Sequence, residues 1–423
     1  MVTYQDFMVQ VSTLADRFAE FSGSALGLVA NNVLDSIIFT FAACEAGIEA
    51  CLYPSHWDAV TAIENAEHYG HVPIGFTPDG ELAVLSANRP GPTGTDPSPD
   101  PAVTILTSGT TSDRPKATRH RWRNIILSAT QGRIPDESPD AVWLLAYNIN
   151  QYAGLQVLVH AVTTGATLVV PRSISPVDAL DAMLEHRADH VSATPTFWRI
   201  LLALMSGDSR GAPALRQITI GGEAVSELLL RQLRERFPTA RISHIYATSE
   251  IGSSVSVSDG KAGLPTAILD RNADDLVQFR IVDGELQARS RIGMFGYHDS
   301  TVGTGDWVAT GDLVDVRDGR IQFVGRAGSV INVGGVKVHP LPVEEVISAV
   351  AGVDLVRVYG RPNPVTGKIV AADVVAAQEH DPASVRRAIS IACAVLPQAQ
   401  RPLVVRMVDS LPIVQNKMDR REL

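Results

Sequence analysis

Residues 103–116 read VTILTSGTTSDRPK, in which a β-rich apolar run changes into a loop of hydroxyl residues and glycine that ends in Lys116. A glycine lets backbone N–H groups turn toward an anion, hydroxyl groups donate to phosphate oxygens, and a lysine offsets phosphate charge. The stretch therefore predicts a strand followed by a nucleotide triphosphate loop. It lacks the G-x-x-x-x-G-K-S/T spacing of the common phosphate loop, and an ordinary surface turn explains this composition equally well.

The composition is that of a packed globular enzyme. The chain has 423 residues, of which 45% are hydrophobic and 19% charged, and its length favours two or three structural units. A net charge of −10, with no block of Lys and Arg, argues against nucleic acid as a partner. The cysteines Cys44, Cys51 and Cys393 lack metal-ligand spacing, which predicts a reduced, cytoplasmic compartment. The apolar segment 25–53 is interrupted by charged and amide side chains and is not expected to span a membrane.

Short apolar strands alternate with amphipathic helices over the first half of the chain. Strands are predicted at 27–30, 48–52, 167–170, 190–193 and 217–220, and helices at 33–46, 154–162, 177–185 and 196–205. This alternation predicts an α/β fold with largely parallel sheets that are covered on both faces. From about residue 270 short strands with turn signals follow, at 277–282 and 286–290. After residue 326 the pattern predicts a small α+β unit, with helices at 343–350 and 383–395 and strands at 355–359 and 369–375.

Several short motifs follow the loop in a fixed order. They are Ile218-Thr219-Ile220-Gly221-Gly222-Glu223, Tyr246-Ala247-Thr248-Ser249-Glu250, Thr310-Gly311-Asp312, Gly325-Arg326, Gly334-Gly335 and Asn416-Lys417-Met418-Asp419-Arg420-Arg421. The series resembles the adenylate-forming superfamily of acyl-CoA synthetases, firefly luciferases and nonribosomal-peptide adenylation domains, over nearly the whole chain. The resemblance implies a large AMP-binding domain at residues 1–326, with a trimmed N-terminal subdomain and a β-barrel part. A small mobile α+β domain at residues 327–423 would follow.

The resemblance also implies a site for ATP. The β- and γ-phosphates would contact the loop residues and a supporting cation, namely Thr107, Ser108, Gly109, Thr110, Thr111 and Lys116. The nucleoside would contact Gly221, Gly222, Glu223, Tyr246, Ala247, Asp312 and Arg326, with Asp312 accepting hydrogen bonds from the ribose hydroxyls. Purely structural roles also explain some of these residues. Gly221 and Gly222 could form a strand-to-helix turn, Tyr246 could fill the core, and Asp312 could stand in a turn. The loop departs from the family where Ser112-Asp113-Arg114 replaces the usual Gly-x.

Three residues would serve the chemical step. Glu250 is the expected Mg²⁺ ligand, because a hard cation that bridges phosphates prefers a carboxylate, although a helix-start glutamate is the plain alternative. Ser249 stands in register with the same motif. Lys417 would enter the cleft and stabilise charge during adenylation, whereas a lysine so near the terminus is ordinarily a solvated tail charge. Asn416 stands where the family usually has glycine, a change expected to be harmless because Asn tolerates turn conformations.

The remaining positions concern the acid and the thiol. Family members place acyl-pocket residues at positions that correspond here to Gln151, Tyr152, Thr194 and Ser253. An α-amino acid is disfavoured, because no aspartate for its ammonium group stands near Gln151. The pair Gly334-Gly335 resembles the loop that lines the pantetheine tunnel of CoA ligases, against the alternative of a tight hairpin turn. Gly328 occupies the hinge position between the two domains.

These assignments favour an ATP-dependent acid–thiol ligase that uses ATP, Mg²⁺ and CoA, or the phosphopantetheine of a carrier protein. The carboxylic acid would become an acyl-adenylate and then a thioester. Two alternatives stay open, namely a stand-alone adenylation enzyme that loads an acyl carrier protein, and a non-catalytic binder of nucleotide or acyl-adenylate. The oligomeric state is open as well, with a homodimer among the arrangements allowed.

Overall fold

The computed structural model describes residues 1–29, 32–86, 100–107, 114–130, 139–207, 209–298 and 305–420. Within these ranges the α-helices are Tyr4–Arg17, Val33–Glu45, Ala59–His68, Trp122–Thr130, Tyr152–Thr164, Pro176–His186, Pro195–Ser206, Glu227–Arg236, Pro340–Ser348 and Pro382–Ala392. Short 3-10 helices lie at Phe18–Phe21, Thr266–Asp270, Ala327–Ser329, Cys393–Val395 and Gln398–Gln400. None of these described helices combines the length and the apolar character that crossing a membrane requires.

A seven-stranded sheet holds the strand that enters the phosphate loop. Its order is Gly296–Tyr297, Lys116–Arg121, Ala102–Thr107, Glu49–Tyr53, Ala25–Val29, His71–Phe76 and Leu82–Val84. The four inner strands from Ala102–Thr107 to His71–Phe76 run parallel. Lys116–Arg121 then returns antiparallel to Ala102–Thr107, so that Thr107 pairs directly with Lys116. The two ends of the phosphate loop are therefore neighbours in the sheet.

A second sheet of six strands carries the next motifs. Its order is Gly252–Val257, Arg241–Thr248, Gln217–Gly221, His190–Ala193, Val142–Leu145 and Thr167–Val169, and all neighbours except Gly252–Val257 are parallel. Glycine and hydroxyl residues stand where its strands end, at Gly221 and Thr248. Parallel strands present their carboxyl ends at one edge, which is where ligands bind in α/β folds.

Two antiparallel sheets follow along the chain. One consists of Leu264–Pro265, Arg320–Arg326, Val308–Arg317, Glu285–Ser290 and Val277–Val282 in that order. The other consists of Val336–Val338, Ile331–Val333, Gly367–Ala376 and Val353–Asn363, with Val404–Met407 parallel to Gly367–Ala376. A hairpin of Ile413–Val414 and Lys417–Met418 ends the described chain. The predicted α/β class, with its large βα part and small α+β part, is confirmed, and the boundary after residue 326 stays a prediction.

Local sequence explains where the helices begin. Asn32, Ser175 and Thr194 cap their helices by accepting a backbone N–H three residues ahead, and proline follows the last two directly. The strands between these helices are buried; Leu26, Ile218 and Ile220, for example, have no exposed surface. Burial of such apolar strands beneath helices is the main stabilisation expected for a parallel sheet.

Candidate active site

Tyr246, Asp312 and Arg326 form one contact cluster between the second and third sheets. The Tyr246 hydroxyl donates to Asp312 Oδ2 at 2.8 Å, and Arg326 Nε lies 3.4 Å from Asp312 Oδ1. Asp312 and Arg326 are paired residues of adjacent strands, which fixes their spacing. The ring of Tyr246 packs on Phe323, with 5.1 Å between ring centroids. Tyr246 therefore fills the core with its ring and orients Asp312 with its hydroxyl.

The environment of Asp312 raises its pKa. Desolvation by burial is the main cause, and the charges of Glu250 and Glu285 add to it, while Arg326 and the Tyr246 hydroxyl oppose it. Among the described residues, the carboxylate of Asp312 contacts two partners, the Tyr246 hydroxyl at Oδ2 and Arg326 Nε at Oδ1. A carboxylate has about four acceptor positions. The aspartate can therefore accept further hydrogen bonds, as a ribose diol would supply.

The phosphate loop is described only at its two ends. Thr107 ends its strand, and its hydroxyl donates to the backbone carbonyl of Lys116 at 3.3 Å. Lys116 opens the returning strand with an exposed side chain. The predicted ligands Ser108, Gly109, Thr110 and Thr111 lie outside the described residues, so their roles stay predictions.

Tyr297 connects Lys116 to Glu250, a link that the sequence did not reveal. The Lys116 Nζ atom lies 5.5 Å from the centroid of the Tyr297 ring, within the range of a cation–π contact. The Tyr297 hydroxyl donates to Glu250 Oε1 at 3.4 Å. Burial, together with the charge of Glu250, raises the pKa of Tyr297 to about 12, so the hydroxyl stays protonated and remains a donor.

The backbone around Glu250 is also held closely. The Met294 N–H donates to the Glu250 carbonyl at 2.9 Å, and a Cβ on Gly293 would lie only 2.4 Å from that oxygen. Ser249, one residue earlier, approaches the buried ring of His120, whose pKa burial lowers to about 3. The neutral His120 is thus a further polar side chain beneath the motif that sequence reasoning missed.

The described residues fit a magnesium ion only in part. Among them no group of three or more His, Cys, Asp and Glu side chains could hold a metal. Mg²⁺ usually keeps one or two carboxylates and takes its other ligands from phosphates and water. The single carboxylate of Glu250, near the phosphate-loop lysine, suits that pattern. Glu250 would hold the ion, which would supply charge neutralisation at the phosphates.

Lys417 reaches the strand-end glycines of the second sheet. Gly222 has a φ of +85°, and a Cβ built on it would lie 3.0 Å from Lys417 Cε and 3.2 Å from Nζ. Gly221 precedes it at the end of its strand, and its carbonyl accepts from the Tyr147 hydroxyl at 3.2 Å. Glu223 follows and accepts from the N–H groups of Met418 and Thr196, both at 3.1 Å. The structure thus brings Gly222, Glu223 and Lys417 together.

Burial lowers the pKa of Lys417, and the nearby charge of Arg326 lowers it further, while Glu223 acts in the opposite direction. Because Arg326, whose charge acts on Lys417, also pairs with Asp312, these three residues lie in one region, which we call the cleft. Ala247 follows Tyr246 directly, at the register shift of the strand Arg241–Thr248. The positive charges of Lys417 and Arg326 would both favour an anion bound in this region.

The four expected acyl-pocket residues are engaged in two different ways. Tyr152 is buried, and its hydroxyl accepts from the Ser253 N–H at 3.3 Å, which joins those two residues. Thr194, also buried, donates from its hydroxyl to the carbonyl of Asn416. Gln151 donates from its side chain to that of Gln415. Gln151 and Thr194 therefore contact the C-terminal hairpin, and the role of all four in acid binding stays a prediction.

The glycines expected to serve the thiol lie in the C-terminal sheet. Gly334 and Gly335 form the turn between Ile331–Val333 and Val336–Val338, with φ values of +57° and +89°. The Gly334 N–H donates to Thr366 and the Gly335 N–H to Asn332 Oδ1, each at 2.9 Å. Gly328 lies in the 3-10 helix Ala327–Ser329. The structure does not bring these glycines to the cleft, and their roles stay predictions.

Comparisons with known proteins identify the family and the fold of the chain. The sequence model of the family "AMP-binding enzyme" matches residues 59–298. The 3,4-dihydroxybenzoate–[aryl-carrier protein] ligase of Bacillus anthracis is 24% identical over 90% of this chain and 86% of its own length. The 2-succinylbenzoate–CoA ligase of Escherichia coli K12 is 30% identical over 66% of this chain and 59% of its own length.

A solved structure, ATP-bound MatB from Rhodopseudomonas palustris, superposes with a TM-score of 0.76 at 20% identity, covering 98% of this chain and 91% of that one. This likeness shows a shared fold. The chain spans less than two thirds of the length of several curated relatives that it matches, with 58% for a putative long chain fatty acid-CoA ligase of Staphylococcus epidermidis. Since the family match covers more than half of the chain, from the helix Ala59–His68 to the strand Gly296–Tyr297, the chain belongs to the family of AMP-binding enzymes.

Proposed function

We propose that the protein activates a carboxylic acid with ATP and transfers the acyl group to a thiol. The observation that carries this proposal is the docking of Lys417 against Gly222 in a cleft shared with Asp312 and Arg326. A nucleotide binder needs a carboxylate for the ribose, but it does not need a lysine that is held against the glycines at the end of a strand. That lysine supports catalysis over simple binding.

In the first half-reaction an oxygen of the substrate carboxylate attacks the α-phosphorus of ATP. The bond from that phosphorus to the β-bridging oxygen breaks, and pyrophosphate leaves. Asp312 would hold the ribose, Lys116 the triphosphate, and Lys417 the charge that develops at the α-phosphate. Glu250 would hold Mg²⁺, which supplies charge neutralisation when bound.

In the second half-reaction a thiol sulfur attacks the acyl carbon, AMP leaves, and the thiol proton passes to solvent. The acceptor is CoA or a carrier-protein phosphopantetheine, and both kinds occur among the named relatives. The relative matched over most of its length is a carrier-protein ligase, which supports a carrier protein as the second candidate. The relatives of Bacillus anthracis and Escherichia coli are named for aromatic acids and the relative of Staphylococcus epidermidis for a fatty acid. Because the match to the Bacillus anthracis ligase covers the largest share of both chains among these three, we propose an aryl acid as the first substrate class to examine.

Pyrophosphate–ATP exchange with a panel of aryl and alkyl acids tests the first half-reaction. We expect exchange with at least one aryl acid, and a loss of about 10²-fold or more in the Lys417→Ala variant. Lys261→Ala, at an exposed lysine outside the cleft, is the matched control. Tight ATP binding without exchange for any acid would favour the non-catalytic binder instead.

Three free cysteines in the described chain support the proposed cytoplasmic location.

A further inference from the structure

The turn Gln415-Asn416 joins the two strands of the C-terminal hairpin and presents Lys417. Both residues have left-handed backbone conformations, with φ values of +53° and +59°. Two consecutive residues of this kind are typical of a tight hairpin turn whose twist matches its strands. Asparagine adopts this conformation more readily than other residues that carry a side chain. Backbone conformation alone would therefore be served equally well by glycine.

The side chain of Asn416 makes contacts that glycine could not make. Its Nδ2 donates to the carbonyl of Ile174 at 2.6 Å and to that of Ala146 at 3.2 Å. Its own carbonyl accepts from the hydroxyl of Thr194. Asn416 is only 7% exposed. The side chain that replaces the family's glycine thus bonds two segments of the large N-terminal part, while the backbone carbonyl of Asn416 bonds a third.

The residues on either side of Asn416 dock at the same place. Gln415 pairs with Gln151, and the N–H of Met418 donates to Glu223. Lys417 lies between them, against Gly222. Four consecutive residues therefore contact the large part, and the only side-chain amide among them that bonds two backbone carbonyls is that of Asn416.

The two residues that follow the hairpin, Asp419 and Arg420, are fixed to the C-terminal part itself. Arg357 Nη1 donates to the carbonyl of Asp419 at 3.1 Å. Arg420 makes two parallel contacts to Glu344, at 2.6 and 2.7 Å. A rotation of the small C-terminal part would carry residues 419–420 with it and would break the contacts of residues 415–418. The turn is thus one of the places at which the C-terminal part contacts the large part, and it is the one that holds Lys417.

We propose that Asn416 is a positioning residue that seats Lys417 in the cleft. It would thereby favour the arrangement described above, in which residues 415–418 contact the large part, over one in which the C-terminal part has rotated away for thiol transfer. This proposal rests on the proposed function. The amide acts through Lys417, since Asn416 itself contacts the two carbonyls and Thr194. The role is specific to the residue at this position, because glycine would keep the turn and lose the anchor.

The variant Asn416→Gly tests the proposal, because it preserves the left-handed turn and removes both side-chain hydrogen bonds. We expect its turnover in pyrophosphate exchange to fall about 5- to 50-fold, the scale of two lost hydrogen bonds. The KM for ATP should change less than turnover, and thioester formation from supplied acyl-adenylate should be unchanged or faster. Asn416→Asp, which sets a carboxylate against two carbonyl oxygens, should lose at least as much exchange. Asn272→Gly, at an exposed turn asparagine whose Oδ1 accepts from the N–H of Asp274, is the matched control.

A second readout does not depend on activity. Spin labels on cysteines introduced at Val177 and Val365, which are 54% and 89% exposed, report the distance between the two parts. We expect a single narrow distance distribution for the wild-type protein and a broader one for Asn416→Gly. Unchanged exchange together with an unchanged distribution would overturn the proposal, as would equal losses in both half-reactions. If the wild-type protein exchanges with no acid, the proposed function fails, while the distance measurement still decides whether Asn416 seats the tail.

Discussion

Replacement of Gly222 by alanine should impair adenylation by displacing Lys417. The added methyl group would lie 3.0 Å from Cε and 3.2 Å from Nζ of the lysine, and 3.8 Å from a methyl group of Thr194. The lysine must therefore move by at least a few tenths of an ångström. The adjacent Gly221 offers a matched control, because a Cβ there would meet only Ile245 O at 3.6 Å and Tyr147 Oη at 3.7 Å.

The expected magnitude follows from what the methyl group can do. Loss of one charged transition-state contact costs about 10²- to 10³-fold in turnover, which is the ceiling if Lys417 is expelled. If Lys417 is shifted but stays in the cleft, we expect turnover to fall by about 10-fold or more. Because φ is +85° at Gly222, a side chain also costs about 1–2 kcal/mol in the free energy of unfolding. Gly221→Ala carries no such cost.

Pyrophosphate exchange and chemical denaturation of four proteins separate these effects: wild type, Gly222→Ala, Lys417→Ala and the double variant. If the methyl group acts through the lysine, Gly222→Ala should reduce exchange further by less than about 2-fold in the Lys417→Ala background. Independent losses in the double variant would refute the reasoning. Exchange by Gly222→Ala equal to that of the wild type would refute it as well.

Three further changes test other parts of the site. Tyr297→Phe keeps the ring beneath Lys116 and removes the hydroxyl that donates to Glu250. We expect the affinity for Mn²⁺, measured by calorimetry in the presence of ATP, to fall about 5-fold. An unchanged affinity would contradict the role of the Tyr297 hydroxyl in orienting Glu250. Asp312→Asn should raise the KM for ATP about 10-fold or more. Since burial raises the pKa of Asp312 above 3.8 in the folded protein, the wild type should lose stability relative to this variant as pH rises from below 3.8 to neutrality; the opposite trend would refute the pKa direction. Gly335→Leu, with Gly335→Asn as the control that keeps the turn, should reduce thioester formation and leave exchange near wild type, whereas a loss of exchange would place the loop in the first half-reaction.

The parts of the fold that local sequence dictates were predictable. The alternation of apolar strands and amphipathic helices predicted the helix Pro195–Ser206 to within one residue at each end. It predicted the strand His190–Ala193 at its observed bounds. The helix Tyr4–Arg17 escaped prediction, although Thr3 caps it. The strand Gly296–Tyr297 has only two residues, too few for any periodic signal. It exists because the strand Lys116–Arg121 offers it a partner.

The candidate site likewise contains residues that local sequence indicates and contacts that only the tertiary fold creates. Short motifs singled out Asp312 and Arg326, and the structure places them opposite each other on neighbouring strands, while their roles toward a nucleotide stay predictions. The contact of Tyr297 with Lys116 and Glu250 depends on three segments that are distant in sequence, so no local pattern carries it. Asn416 was expected to be harmless because its backbone conformation suits a turn. The two carbonyls that its amide reaches belong to segments that only the tertiary fold places there.

The charges around Lys417 connect docking to nucleotide binding. Burial and Arg326 both lower the pKa of Lys417, which means that seating the protonated lysine costs free energy in the protein without an anion. A triphosphate placed between Lys417 and Arg326 would reverse this effect and favour the seated tail. By linkage, the seated tail then favours ATP by the same factor, and departure of pyrophosphate removes that advantage. The distance between labels at Val177 and Val365, measured with and without ATP, reads this coupling directly. The anchor of Asn416 and the charge of the triphosphate thus act on one equilibrium, the first at all times and the second only while adenylation is under way.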